Sequence, residues 1–462
     1  MKKPETIDVL TIGAGGGAYP AAFWLAKRAQ RVVMVDPKGV MSGNCLAEGC
    51  VPSKAVREMA RHVTRHRRFE SYGMGGEPTI DYRKIIAHKD NVQRSRYIQH
   101  GEELARSRNI ELIKGRASLQ DPHTVTVETD AGDRRYTVRH IIVASGADVF
   151  VPSIPGAELC LTSSDLYRLN PTVKVLPQTL TVIGGGYIGV ETASFYAALG
   201  VHVTLLQRGR QLLSGMDPDM VAMLVPLLDP RIRVMFEVDV DRIEQGVHGM
   251  TVHYRQGDFS GKELSDQVLI AAGRRPVLPE GLAALDIEVG HTGIAVNGAL
   301  QTSHPHIYAC GDVNGRVPLF HAAVRESLVA AHNIMAGDVA ADTMDFTNVP
   351  TTVFTLPAAA YVGMTRTAAA QRGVAVVEAG YEFLEDSRAQ IFGETGGGLR
   401  LFFEPRSLRL IGGWVVGIDA GNLIGEIGLA CANGLTAQQL AAFADQHPMT
   451  SEGIGHAARS LL

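Results

Sequence analysis

A glycine-rich turn set between a buried strand and a helix occurs twice in this chain. That repetition restricts the fold more than any other feature of the sequence. The first copy reads IDVLTIGAGGGAYPAA. An apolar strand runs into Gly13 and Gly15, and an alanine-rich helix follows Ala18. In the dinucleotide fingerprint the first glycine makes the turn and the second lets the backbone approach a pyrophosphate. The third allows close helix–strand packing, a place that Ala18 nearly fills as well. The helix N-terminus then faces the phosphates. The next strand, RVVMVD, ends at Asp36, about 20 residues on, where an acid bonds a ribose hydroxyl. The second copy, TLTVIGGGYIGVETA, carries Gly184, Gly186 and Gly189 at full spacing in the same strand–turn–helix context. Its following strand, VHVTLLQRGR, has Gln207, Arg208 and Arg210 where the acid would sit. An acid there favours NAD, and arginine accommodates the extra phosphate of NADP; Gln plus Arg leaves both open. Two such units predict two dinucleotides and a route for electrons between them.

At 462 residues the chain is too long for one core, so about two to four domains are expected. The net charge of -4 offers no polybasic surface for nucleic acid or membrane. The apolar runs are short and interrupted, so no membrane span is expected. The opening residues enter a strand without an apolar segment ahead of a cleavage site, which argues for a cytoplasmic location. Five cysteines in a chain of this length do not form a disulfide scaffold.

Two of them, Cys45 and Cys50, lie close together in SGNCLAEGCVPSK, with Gly49 between them and Pro52 opening a helix. A regular helix over that span rises about 7.5 Å, whereas a disulfide wants Cα atoms about 4.4–6.8 Å apart. A bridge therefore demands a distorted turn, which Gly49 permits. So short a loop gains little closure entropy and makes a poor structural staple. Cys50 also sits near a helix N-terminus, where the dipole lowers a thiol pKa. The pair reads as a disulfide that opens and closes. Two unrelated buried cysteines, or half of a metal site, stay open as alternatives at this point.

The remaining stretches supply the frame. Residues 55–109 read as a long polar helical region, rich in Arg and His, with a solvated face. Residues 123–144 alternate like a hairpin turning at Ala131–Gly132, and Ser145–Gly146–Ala147 ends the last strand. DQVLIAAGRRP, residues 266–276, reads as a strand and turn returning to the first unit. TSHPHIYACGDV ends at Gly311–Asp312, a carboxylate suited to polyol hydroxyls, and a helix is expected over Phe320–Met335. From Asp345 the alternating segments TTVFTL, LRLFF and LRLIGGWVVG predict an antiparallel sheet, followed by helices near Asn422–Ala432 and Thr436–Ala444. The tail HPMTSE places Glu452 near His447, and a carboxylate so placed fixes a histidine tautomer.

Together these motifs resemble the class I pyridine nucleotide-disulfide oxidoreductases, and within them the dihydrolipoamide dehydrogenase branch. CLAEGCVPSK resembles the redox-active signature, GAGGGAYPAA the FAD-binding start, and GGGYIGVE the pyridine nucleotide site. AAGRRP and ACGDV resemble the flavin-domain returns, and HPMTSE the catalytic tail. The resemblance covers nearly the whole chain. It implies an α/β fold with two Rossmann-like dinucleotide-binding domains, the NAD(P) domain inserted in the FAD domain, plus a C-terminal α+β dimerisation domain. The implied boundaries are 1–148 and 272–344 for the FAD domain, 149–271 for the NAD(P) domain and 345–462 for the interface domain.

The resemblance also implies roles. The expected cofactors are FAD and NAD(P), with NAD favoured, and no metal. The expected partners are a second copy of the chain and a lipoyl-carrying protein or domain. Cys45 would meet substrate and Cys50 the flavin. Lys54 would lie near the flavin and pair with Glu191. His447, delivered from the second subunit and oriented by Glu452, would take the substrate proton. FAD contacts are implied at Gly13, Gly15, Asp36, Lys54, Gly115, Ser145, Gly146, Asp312 and Ala322. Pyridine nucleotide contacts are implied at Gly184, Gly186, Tyr187, Gly189, Glu191, Gln207, Arg208 and Gly273. The implied reaction oxidises protein-bound dihydrolipoamide with reduction of NAD(P)+.

The sequence also departs from the family pattern. Ser42–Gly43 replaces a usual glycine pair, Asn44 a small or Thr residue, Ala18 the third glycine, and Gln207–Arg208 the acid expected for NAD. Tyr187 resembles the gating tyrosine of glutathione reductase, whereas Gly189 fits the NAD-type spacing. A glutathione-reductase-like NADPH-dependent disulfide reductase is therefore the rival reading, supported by Tyr187 and Arg208. A non-catalytic flavoprotein scaffold is the alternative of another class. The intact set Cys45, Cys50, Lys54, Glu191, His447 and Glu452 speaks against it.

Overall fold

The computed structural model describes residues 4–76, 78–337 and 339–462. The first sheet grows from the strand Glu5–Ile12, which pairs in parallel with Val32–Asp36 on one side and Arg134–Val143 on the other. All five residues of Val32–Asp36 are buried, as expected of a central parallel strand covered on both faces. Ile110–Lys114 closes one edge, and the antiparallel strands Thr124–Glu128 and Arg116–Asp121 extend the other. The seventh strand, Ile307–Ala309, pairs with Arg134–Val143. The chain thus returns, after a long excursion, to finish its first sheet. Helices Tyr19–Ala26 and Phe320–Ala336 cover one face, where Ala22, Leu25, Val329 and Ala330 form one core with Val9 and Met34.

The excursion builds a second parallel sheet in the order Ile232–Met235, His202–Leu206, Thr179–Ile183, Gln267–Ile270. A three-stranded antiparallel meander over residues 238–265 lies beside it. The return expected from residues 266–276 is divided. Gln267–Ile270 stays in the second sheet, and Arg274–Pro276 pairs antiparallel with Ala147–Val149. The outgoing and returning chains therefore cross between domains side by side.

The last part is a five-stranded antiparallel sheet, Thr351–Val353, Ala358–Gly363, Leu410–Gly417, Gly398–Phe403 and Val377–Glu382 in spatial order. Helix Ala420–Ala432 packs on it through Leu423, Ile424 and Ile427. A further helix, Glu452–Arg459, buries Ile454, Ala457 and Ala458 in the same core. The sequence reading did not foresee that helix.

Residues 55–109 need the largest correction. They fold into the second part of helix Cys50–His66 and the whole of helix Tyr82–Ala105, which share a core with helix Tyr187–Ala198 through Val56, Ala60, Tyr82, Ile86 and Phe195. The solvated face expected there fails at Lys89, Asp90 and Gln93, all of which are buried.

Candidate redox and nucleotide site

The two glycine turns are built alike. Gly13 and Gly184 both have φ +113°, a conformation that favours glycine. A Cβ at Gly13 would lie 2.2 Å from the Ala144 carbonyl oxygen, and one at Gly184 would lie 2.4 Å from that of Ala271. At Gly189 a Cβ would fall 1.9 Å from the Gly184 carbonyl oxygen, so the second unit needs its third glycine. In the first unit the tight approach is shifted to Gly17, whose Cβ would fall 2.6 Å from the Cys310 carbonyl oxygen. Ala18 is fully buried without conflict. The N–H groups of Gly16 and Gly17 are buried and meet no acceptor among the described residues. Orphaned donors at a helix start fit a pyrophosphate. At Gly186 a Cβ would meet nothing within 4 Å, which leaves the second turn open to the same kind of group. The residues fit FAD in the first cradle and a pyridine nucleotide in the second.

Asp36 and Gln207 occupy matching places. Asp36 Oδ2 accepts from Ala14 N at 3.4 Å, and Gln207 Oε1 accepts from Gly185 N at 3.0 Å. Each strand end thus braces the turn beside it. Gln207 Nε2 is used as well, donating to the Gln211 carbonyl at 2.9 Å. Arg208 is exposed and enters no ion pair among the described residues, whereas Arg210 pairs with Glu237 at 2.7 Å.

The cysteine turn lies directly on the first cradle. Cys45 is carried by the short helix Gly43–Ala47, and Cys50 itself opens helix Cys50–His66. Both are free thiols; Cys45 is half-buried and Cys50 exposed. A Cβ at Gly49 would lie 2.8 Å from the Asn44 carbonyl oxygen, so the turn is too tight for a side chain there. Ser42 sits at φ 69°, a left-handed conformation that costs about 1–2 kcal/mol outside glycine. Its N–H donates to the Ala14 carbonyl at 2.9 Å. Asn44 Oδ1 accepts from Lys38 Nζ at 2.7 Å, and Asn44 Nδ2 donates to the Ala147 carbonyl at 3.0 Å. The Asn44 side chain therefore fastens the turn to Lys38 and to the strand Ala147–Val149, whereas the Ser42 contact with the first glycine turn is a backbone one.

The two thiols act on each other's acidity. The Cys45 thiol holds the Cys50 thiol down at about 7, and the Lys54 ammonium adds to that lowering against the opposing effect of burial. The same pairing, together with burial, pushes Cys45 far above the ordinary thiol range. At neutral pH about half of the reduced pairs thus carry a thiolate on Cys50, with the proton kept on Cys45. One turn along the helix, Lys54 Nζ lies 2.7 Å from Glu191 Oε2 and 4.6 Å from the centroid of the Phe354 ring. Glu191 Oε1 accepts from Phe354 N at 2.9 Å, Arg57 Nε donates to the Phe354 carbonyl at 2.6 Å, and Ser194 Oγ accepts from Leu356 N at 2.8 Å.

The other expected positions distribute as follows. Gly115 N donates to the Asp36 carbonyl at 3.1 Å, and the Gly146 carbonyl accepts from Val277 N at 2.9 Å. Ser145 Oγ bonds the Val277 carbonyl, and Ala322 is buried on helix Phe320–Ala336. Asp312 opens a short turn, and burial raises its carboxyl. Gly273, at φ +117°, lies in the crossing between domains. Tyr187 opens helix Tyr187–Ala198 on the surface. His447 Nδ1 lies 2.8 Å from Glu452 Oε1, with the imidazole 68% exposed. Among the described residues of one chain, no hydrogen bond or ion pair joins this pair to the cysteine turn.

Sequence reasoning missed Glu326, Lys89, Asp90 and Gln93. Glu326 is fully buried; its Oε2 accepts from Gly311 N at 2.7 Å and Asn314 Nδ2 at 2.6 Å, and burial lifts its carboxyl to about 7. The signal was an acid inside the apolar run AAVRESLVAA.

Two dinucleotide cradles, with a dithiol turn lying on one of them, define an oxidoreductase that moves electron pairs between thiols and nucleotides. The chain belongs to the pyridine nucleotide-disulphide oxidoreductases: residues 7–327 match that family and residues 349–458 match its dimerisation domain. It is 33% identical to a dihydrolipoyl dehydrogenase of Geobacillus stearothermophilus over 451 residues, 96% of this chain and 94% of the relative. A dihydrolipoyl dehydrogenase of Bacillus subtilis is 32% identical over 460 residues, 97% of this chain and 95% of the relative. Among solved structures, LpdA from Mycobacterium tuberculosis is similar with a TM-score of 0.90 at 25% identity, covering 99% of this chain and 100% of that one. The Cu(II) complex of the HOCl-induced flavoprotein disulfide reductase RclA from Escherichia coli gives 0.87 at 26% identity, covering 100% of both chains. The protein is thus an FAD-dependent pyridine nucleotide-disulfide oxidoreductase. Among the described residues no helix is long and apolar enough to cross a membrane.

Proposed function

We propose that this protein oxidises protein-bound dihydrolipoamide to lipoamide with reduction of NAD(P)+, acting as a homodimer in the cytoplasm. The observation that carries the reading is the cysteine turn, in which Cys45 and Cys50 are free thiols packed beside the first glycine turn and Lys54 lies one turn along the helix that Cys50 opens. Support for the lipoyl substrate comes from the whole-length similarity to dihydrolipoyl dehydrogenases.

Each chain residue then has a task. His447, supplied across the dimer, takes the proton of the first substrate thiol on Nε2, because Glu452 occupies Nδ1. The substrate thiolate attacks the Cys45 sulfur of the bridged pair. The S–S bond breaks and Cys50 leaves as the thiolate, which its low pKa favours. The second substrate thiol attacks the mixed disulfide, releasing the lipoyl disulfide and leaving Cys45 as a thiol. FAD, when bound, supplies the relay that carries the electron pair from the cysteines to the pyridine nucleotide. Asp36 and the Gly13–Gly15 turn would hold its adenosine half, and Asp312 its polyol chain. Gly184, Gly186 and Gly189 would hold the pyridine nucleotide.

The second reading is an NADPH-dependent disulfide reductase of the glutathione-reductase kind. It is favoured by the unpaired Arg208 and by a Gln207 amide spent on the turn in place of an acid. One assay matrix separates the two: dihydrolipoamide with NAD+ or NADP+, and glutathione disulfide with NADH or NADPH. Turnover of dihydrolipoamide is the expected result. Turnover with glutathione disulfide alone would overturn the proposal.

A further inference from the structure

The helix Tyr82–Ala105 carries a buried polar group that the proposed chemistry does not use. Lys89 and Gln93 are both 0% exposed and stand one turn apart on the same helix face. Lys89 Nζ donates to Asp90 Oδ1 at 2.5 Å, to Gln93 Oε1 at 2.8 Å, and to the Tyr167 and Arg168 carbonyls at 3.2 and 2.7 Å. The ammonium, with its acidic neighbour and two carbonyls, is fully engaged, as a buried charge must be. Its bond to Oε1 settles which end of the Gln93 amide faces it. The other end, Nε2, donates to the Leu46 and Ala47 carbonyls, at 2.9 Å each. Those two residues end the short helix Gly43–Ala47, and its last carbonyls have no partner within the helix. They lie on the segment between Cys45 and Cys50.

We infer that Gln93, oriented by the buried Lys89, is a positioning residue that holds the segment between Cys45 and Cys50 in place while the thiols are free. This rests on the reading of Cys45 and Cys50 as the redox pair. With no S–S bond across it, a segment of this kind gains conformational freedom unless other contacts restrain it. Restraint in the open form narrows the entropy difference between dithiol and disulfide, and so favours closure. Removing it therefore shifts the balance toward the dithiol. Lys89 acts one step further back. Without its ammonium the Gln93 amide is free to flip, which would bring Oε1 against two carbonyl oxygens.

The test uses the FAD-loaded enzyme equilibrated without oxygen in graded mixtures of reduced and oxidised dithiothreitol. Two electrons and two protons pass from the reagent. The Cys45–Cys50 bond breaks, two S–H groups form, and the reagent closes its own disulfide. Free thiols are counted by alkylation and mass spectrometry. Gln93→Leu is expected to shift the equilibrium about tenfold toward the dithiol, about 30 mV for a two-electron couple, at unchanged FAD content. Gln93→Glu keeps the side-chain length and the Lys89 partner but loses both donors, so it is expected to shift the same way. It also serves as the reading if Gln93→Leu fails to fold. A Gln93→Glu enzyme with full FAD and the wild-type equilibrium would overturn the inference. Failure of the wild-type cysteines to bridge at any ratio would instead overturn the proposed function.

Discussion

Replacing Lys54 with Met should change the acidity of Cys50 before it changes anything else. The Cys50 thiol is held at about 7 by the Cys45 thiol and then by the Lys54 ammonium, while the Glu191 carboxylate acts the other way. At pH 7 about half of such a thiol is ionised, against about 3% for an unperturbed one near 8.5. An opposite charge within about 4–6 Å shifts a pKa by about 1–3 units. Lys54→Met removes that charge and leaves the Glu191 carboxylate unpaired, so both changes act upward. A rise of about one unit lowers the ionised share at pH 7 from about half to about 9%, roughly a fivefold cut. Glu191→Gln acts downward, because it removes the opposing charge and leaves Lys54 in place. The readout is the long-wavelength thiolate-to-flavin absorbance of the two-electron-reduced enzyme, titrated without oxygen. In the wild type the band should be present above about pH 7 and fade below it. Its midpoint should move up in Lys54→Met and down in Glu191→Gln. Midpoints moving the same way in both variants, or not at all in Lys54→Met, would refute the electrostatic account.

His447→Gln should slow dithiol oxidation by about 10²–10⁴ while FAD content, read from the flavin absorbance, stays level; parallel loss of both would mark a structural histidine. Gly186→Ala should fold normally, since a Cβ there meets nothing and the backbone is extended, yet raise KM for the pyridine nucleotide at least about tenfold by crowding the pyrophosphate. Stopped-flow reduction of the flavin by dithiol alone should be unaffected in that variant, and an unchanged KM would refute the placement. Gly13→Ala, with its Cβ 2.2 Å from a backbone oxygen, should instead lose FAD and stability together. For Glu326 the folded value, about 7, lies above the ordinary carboxyl near 4.3. The folded state therefore keeps a proton that the unfolded chain releases. Stability should fall by on the order of 3 kcal/mol as pH rises from about 4.5 to 7, then level off. Denaturant titrations of Glu326→Gln should lack that slope, and parallel pH profiles for the two proteins would count against it.

What could be read from the sequence was local. Gly13, Gly184 and Gly189 are dictated by turns a few residues long, so spacing alone located them. Asp36 and Gln207 were placed by counting to the next strand end, and both reach back to the turn they follow. The Lys54–Glu191 pair joins residues 137 apart, and only the family resemblance brought them together. Gln93 and Lys89 were not legible at all. They sit in YRKIIAHKDNVQRSRYIQHGEELA, where charged residues interrupt any apolar stripe, so the helix looks solvated. Its buried face is polar because it must supply donors to the end of another helix, a requirement set by tertiary packing. The last helix was hidden for the opposite reason. Gly453 and Gly455 weaken its propensity, but Gly453 packs against Tyr381, where a Cβ would come within 2.6 Å of the ring.

The three residues Phe354, Thr355 and Leu356 belong to the C-terminal domain, yet their backbone groups are spoken for elsewhere. Arg57, from the cysteine helix, takes the carbonyls of Phe354 and Thr355, and Glu191 and Ser194, from helix Tyr187–Ala198, take the amides of Phe354 and Leu356. Because these bonds go to main-chain atoms, the side chains on this segment are free to vary while its path is not. The C-terminal domain is therefore not an exchangeable module. A chimera that borrows it from a relative will keep the Lys54–Glu191 pair only if the graft carries this stretch along the same course, whatever its sequence. Recombination between family members should accordingly tolerate breakpoints on the far side of the five-stranded sheet far better than breakpoints within residues 351–357.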